Sequence, residues 1–314
     1  MFLRSVPRLS RAMSTRLFSS FIVSPSELST ALKNPGNRII PLSAEWYLPN
    51  SPLNGHSEYL SRRIPGARFF DLDAVKDASS PYPHMLPDAA TFSAAMGELG
   101  IKKDDTVVVY DGANMGLFSA PRVAWTLKVF GHENVKLLDN FKKWVEDGLP
   151  TESGDVKAWE KTSYGASKLD EGMVLDFEAV KKIAQEKLEG GAKKLQVLDA
   201  RPNGRWAGKD PEPRPGLPSG HLPGSISVPF GELINPVTKS FKSEEELRKI
   251  FEAKGVDMTG ETEKVLMCGT GVTAVVVDTA MELAGVQGKR RIYDGSWTEW
   301  AMRVDEKEGL IVKA

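Results

Sequence analysis

The chain has 314 residues, and at roughly 150 residues per domain that length points to two domains. Hydrophobic residues make up 41% and charged residues 26%, a balance that lets each half bury a core and excludes disorder as the main state. Lys and Arg number 41 against 42 Asp and Glu, so no global field draws the chain to nucleic acid or acidic membranes. One cysteine and four histidines leave no disulfide framework, zinc knuckle or iron–sulfur ligand set, so no metal is expected. No run of about 20 apolar residues is long enough to span a bilayer.

Residues 1–26 carry Arg4, Arg8, Arg11 and Arg16, are rich in serine and precede the first acidic residue, Glu27. Arg11 and Arg16 interrupt any apolar signal core, so residues 1–20 read as a mitochondrial presequence rather than a secretory one. Initiation at Met13 would weaken it and give a second, cytoplasmic form.

Further along, the chain repeats itself. Arg63-Ile64-Pro65-Gly66-Ala67-Arg68-Phe69-Phe70 precedes the apolar run Thr106–Tyr110, which ends at Asp111; Gly220-His221-Leu222-Pro223-Gly224-Ser225-Ile226 precedes Lys264–Met267, which ends at Cys268. The distance from Gly66 to Asp111 is 45 positions and from Gly224 to Cys268 it is 44. Each run leads into a Gly-containing loop and then a helical pattern, residues 119–130 and 273–284, closed by Gly131 or Gly285. A short run with an Asp and a Trp follows: Asp139 and Trp144, or Asp294 and Trp297. This is β–loop–α–β twice, the pattern of an α/β fold with a mostly parallel, doubly wound sheet in each half, whose strand-end loops bind ligands. The expected division is residues 21–150, a polar connector over 151–172, and residues 173–314. The Pro/Gly-rich stretch 202–220 reads as a long functional loop.

Cys268 opens the turn Gly269-Thr270-Gly271-Val272-Thr273 between a strand and a helix. Successive backbone N–H groups and the positive end of the helix there stabilise an anionic sulfur. The first half carries Asp111 in place of the cysteine. A phosphatase would need an Arg six residues after the nucleophile, and that residue is Ala274.

With these motifs the chain resembles the tandem-rhodanese sulfurtransferases. The likeness rests on Trp46-Tyr47-Leu48-Pro49, Ile64 to Asp73, Ser80 to Pro87, Ser119-Ala120-Pro121-Arg122-Val123, Asp199-Ala200-Arg201, Gly204-Arg205-Trp206, Glu212-Pro213-Arg214, Gly220 to Gly224, Cys268 to Ala274 and Tyr293 to Trp297. It implies two rhodanese-like domains with the catalytic one second, a persulfide on Cys268, and no cofactor. The uncharged residues after Cys268 side with members that use 3-mercaptopyruvate rather than thiosulfate. Such a 2-oxo acid needs a carboxylate clamp, which the resemblance puts on Arg205 and Arg214; Arg201 reads as a structural ion pair. Gly269, Gly271, Val272 and Thr273 would line the donor and sulfur site. The resemblance also implies a proton relay of Thr270, His84 and Asp73. It further implies acceptors such as thioredoxin, small thiols or cyanide. The alternatives are a thiosulfate-preferring rhodanese and a relay fed by a cysteine desulfurase that supplies tRNA thiolation.

Overall fold

Apolar, β-branched runs become strands here because alternate residues are buried on opposite faces. In β4 (Thr106–Tyr110) Val107 and Val109 enter one apolar cluster while Val108 and Tyr110 enter another. In β9 (Glu263–Met267) Val265 and Met267 part from Leu266 in the same way. Burial on both faces is what a parallel sheet covered by two helix layers requires. The computed structural model describes residues 17–34, 36 and 38–314.

β4 lies at the centre of one five-stranded sheet with β1 (Ile22–Val23), β2 (Ile39–Ser43), β3 (Arg68–Phe69) and β5 (Val135–Leu138), in the order β1-β5-β4-β2-β3. β9 centres a second, of order β6-β10-β9-β7-β8, with β6 (Val174–Leu175), β7 (Leu195–Asp199), β8 (Ser225–Ser227) and β10 (Arg290–Tyr293). Every pairing is parallel, and the two orders coincide under a shift of five strands. In the first domain α1 (Pro25–Leu32), α2 (Gly55–Ser61) and α5 (Phe141–Glu146) cover one face, and α3 (Ala89–Glu98) and α4 (Ala120–Val129) cover the other. In the second, α6 (Phe177–Leu188) and α10 (Ser296–Arg303) lie opposite α8 (Glu244–Ala253) and α9 (Ala274–Leu283).

The domains meet through α4 and α9, the helices that start at the ends of the central strands. Trp125 and Val129 of α4 join the second domain's core, and Val272 and Val276 join the first's. Each domain also sends a loop across to the other. The loop after β3 carries His84 to Thr270, and the loop after β8 carries Lys239 against Gly116; both residues have positive φ, 65° and 63°.

Several sequence expectations are refined. Residues 1–16, with Met13 and most of the expected presequence, lie outside the described residues. Phe18 is 4% exposed and packs with Val23, Leu28 and Ile39, so the folded domain starts before residue 21. Residues 151–172 are strapped to the first domain rather than free. Arg63 and Glu152 exchange backbone hydrogen bonds, and buried Tyr164 donates through its hydroxyl to His132 Nδ1 at 2.7 Å. A Cβ on Gly97 would lie 2.6 Å from the Thr162 carbonyl, so that close approach needs glycine. The stretch 202–220 is not wholly irregular: it contains the single turn α7 (Asn203–Trp206).

Candidate active site at the domain interface

Cys268 is 2% exposed at the C-terminal end of β9, on the sheet face that packs against α9. Its own backbone is fixed by the segment after β10. Cys268 N–H donates to Ser296 Oγ at 3.1 Å, and Trp297 N–H returns a bond to the Cys268 carbonyl at 2.9 Å. Gly271 turns the loop with φ 74°, a conformation open to glycine at little cost. Among the described residues, the N–H groups from Gly269 to Thr273 donate to no protein acceptor, which leaves a run of donors at the N-terminus of α9. Val272 and Thr273 are themselves buried.

Thr270, His84 and Asp73 are brought together across the interface. Asp73 Oδ1 lies 3.2 Å from His84 Nε2, and Thr270 Oγ1 lies 3.0 Å from His84 Nδ1. Hydrogen bonds from His84 and Trp46 hold the Asp73 carboxyl below its ordinary range, and burial holds the His84 imidazole below 6.5. An ionised Asp73 beside a neutral His84 dictates the tautomer: Nε2–H donates to Asp73, and Nδ1 accepts from the Thr270 hydroxyl. The Trp46 indole N–H donates to Asp73 Oδ2 at 2.7 Å, and its ring meets His84 edge-on at 4.7 Å. Beside this chain opens a cleft of about 400 Å³ lined by Trp46, Tyr47, Asp73, Pro83, His84 and Arg214, among others.

The two expected clamp arginines differ. Arg214 lines the cleft, half-buried; burial pushes its guanidinium down, and charge on Cys268 would support it. Arg205 repels Arg214 and is 3.4 Å from Glu212. Arg201 is wholly buried. It holds Asp199 and Glu212, donates to the Gly220 carbonyl and lies over Trp297, as a structural ion pair should. The other histidines are occupied in packing: His221 stacks on Trp206, His132 donates to the Asp105 carbonyl, and His56 packs on Phe69. Among the described residues no group of His, Cys, Asp and Glu side chains converges to hold a metal.

The model of the rhodanese-like domain matches this chain twice, over residues 53–147 and 181–303. The chain belongs to the tandem-rhodanese sulfurtransferase family. It is 42% identical over 277 residues to thiosulfate sulfurtransferase TUM1 of Saccharomyces cerevisiae, covering 85% of this chain and 90% of that one. To a Schizosaccharomyces pombe protein named "probable 3-mercaptopyruvate sulfurtransferase" it is 39% identical, covering 93% and 96%. Among solved structures, the sub-stoichiometric sulfur transferase subunit of yeast mitochondrial complex I superposes with a TM-score of 0.83 at 39% identity, covering 94% of this chain and 99% of that one.

Within this tandem-rhodanese chain the first domain has the same turn without the sulfur. Asp111 accepts the N–H groups of Phe118, Ser119 and Ala120 at 2.7 to 2.9 Å, so a carboxylate fills the place where a sulfur anion would sit. Burial raises Asp111 to about 6 and neighbouring Glu45, which accepts from the Tyr47 hydroxyl, to about 7. Sequence reasoning assigned no role to Trp46, Glu45, Arg122 or Asp294. For Arg122 a signal existed: it is an arginine inside the otherwise apolar start of α4, at the position held by Val276 in the repeat.

Proposed function

We propose that this sulfurtransferase takes sulfur from 3-mercaptopyruvate and passes it to a thiol acceptor through a persulfide on Cys268. The Cys268 thiolate attacks the substrate sulfur, the C–S bond breaks, and the electron pair leaves on pyruvate enolate. The substrate's thiol proton reaches the enolate directly or through Thr270, His84 and Asp73, giving pyruvate. The N–H groups from Gly269 to Thr273 then support the terminal sulfur as an anion. Arg214, with Arg205 behind it, holds the substrate carboxylate by the bidentate geometry that guanidinium favours.

The observation that carries this reading is the Thr270–His84–Asp73 chain, closed across two domains beside a cleft lined by Arg214. No cofactor is needed. Thioredoxin, a small thiol or cyanide would unload the persulfide. A mitochondrial site of action fits the basic leader and the relative in mitochondrial complex I, and initiation at Met13 would add a cytoplasmic form. The relative named for thiosulfate favours a second donor reading, in which the arginines take an anionic sulfonate end. Supply from a cysteine desulfurase to tRNA thiolation would need Cys268 but neither arginine.

The test is to mix the purified protein with 3-mercaptopyruvate or thiosulfate, omit any acceptor, and read the intact mass. Addition of one sulfur to Cys268 with stoichiometric pyruvate, and poor loading by thiosulfate, is the expected result. Equal loading by thiosulfate moves the assignment to the second donor, and no loading by either removes the small-molecule reading.

A further inference from the structure

Arg122 is 1% exposed at the first turn of α4, where an unpaired charge would be costly. Its guanidinium reaches three partners that belong to neither its own helix nor one another's loops. Nη2 donates to Asp294 Oδ1 at 2.6 Å and to the His84 carbonyl at 2.7 Å, and Nη1 donates to the Gly271 carbonyl at 3.2 Å. Asp294, 4% exposed, uses its other oxygen to accept the Leu86 N–H at 2.8 Å. The pair therefore holds the relay loop on both sides of Met85, at the carbonyl of His84 and the N–H of Leu86. The same guanidinium holds the cysteine loop by Gly271.

The repeat isolates what is special here. Asp139 stands where Asp294 stands and bonds Ser240 and Phe241 of the reverse crossing loop, so that half of the device is common to both domains. Arg122 has no counterpart: the equivalent residue on α9 is Val276, packed in the first domain's core. At this pair of equivalent positions the buried cation faces the Cys268 loop, and a valine takes its place on the other side. Its effects are geometric. His84 sits at φ 65°, a conformation uncommon for a residue other than glycine, and its carbonyl is the atom Arg122 grips. At Gly271 the planar peptide makes the following N–H point opposite to its carbonyl, so drawing that carbonyl to Arg122 aims the Val272 N–H away from the clamp.

We propose that Arg122 and Asp294 form a positioning clamp for sulfur transfer. The clamp sets the reach of His84 to Thr270 and the peptide plane of Gly271, and it touches no substrate. The proposal rests on the relay reading of Thr270, His84 and Asp73. Asp294→Asn and Arg122→Lys each remove part of the clamp while leaving the shape of the site. Both variants are expected to lower kcat with 3-mercaptopyruvate by about tenfold to a hundredfold, the loss of one or two charge-assisted bonds. KM should move less than about threefold, because Arg205 and Arg214 are untouched. In a His84→Ala background the same substitutions should cost less than in the wild type, since the imidazole they position is gone and only the Gly271 peptide remains to be held. A full, additive loss there, or an unchanged kcat in the folded single variants, overturns the clamp.

NMR titration of the His84 imidazole separates the two readings because it needs no turnover. The clamp predicts that both variants shift it, and an unshifted titration refutes the clamp. Wild-type turnover by His84→Ala refutes the relay and leaves the titration to judge the clamp. Wild-type hydrogen exchange adds an arm that needs no variant: the Leu86 amide, held by Asp294, should exchange far more slowly than the amide of exposed Ala78, and exchange as fast as that overturns the proposal.

Discussion

Arg214 faces the cleft with a guanidinium that burial has weakened, so an anionic ligand there regains part of what burial costs. Arg214→Ala should raise KM for 3-mercaptopyruvate by about tenfold to a hundredfold, the worth of a hydrogen-bonded charge. Arg205→Ala should cost less, because Glu212 already takes part of its charge; steady-state kinetics on the two variants measure the difference. His84 sets the acid limit. Its imidazole titrates below the ordinary 6.5 because burial disfavours the cation, and only the neutral ring can accept from Thr270. Turnover should hold from neutral pH down through 6.5 and fall only at lower pH, in a kcat profile whose acid limb is altered in His84→Gln.

Gly269 and Gly271 look alike in the sequence, yet the fold separates them. A Cβ at Gly269 would meet nothing within 4 Å, whereas at Gly271 it would lie 2.7 Å from Arg122 Nη1 and from the Asp294 carbonyl, with φ in the left-handed region. Gly271→Ala should therefore lose at least the ~1–2 kcal/mol of that conformation and slow persulfide formation, while Gly269→Ala folds normally; urea melts and burst kinetics check both. At the amino end, a chain starting at residue 21 lacks Phe18, which fills the core beneath β1 and α1. Removing a buried phenylalanine costs about 3–5 kcal/mol, so that chain should unfold at markedly lower urea than one starting at residue 17.

Across the whole molecule the two domains share strand order, helix placement and crossing loops, and differ at a few buried positions. Glu45 takes the place of Arg201, Asp111 that of Cys268 and Arg122 that of Val276. The first domain thereby gains a pair of facing carboxyls, raised to about 7 and about 6 chiefly by burial. A raised carboxyl binds more protons folded than unfolded, so its stabilising share is full below the unfolded value of 4.5 and is lost as pH rises through about 7. Glu45→Gln removes that loss. The variant should gain on the wild type between pH 5 and pH 8, by at most about 3 kcal/mol, in denaturant titrations at the two pH values.

The repeat, the parallel sheets and the cysteine turn were legible in the sequence because they depend on local periodicity and on spacing counted along the chain. So was the structural role of Arg201, whose partner Asp199 lies two residues away. For Thr270, His84 and Asp73 the family resemblance supplied the residues, while the contact itself spans 186 positions and exists only because two domains dock. The unequal settings of Arg205 and Arg214, the strapping of residues 151–172 and the pairing of Arg122 with Asp294 belong to the same class. No local preference encodes them, since each is decided by which side chains the folded surfaces bring face to face and by how little water remains between them.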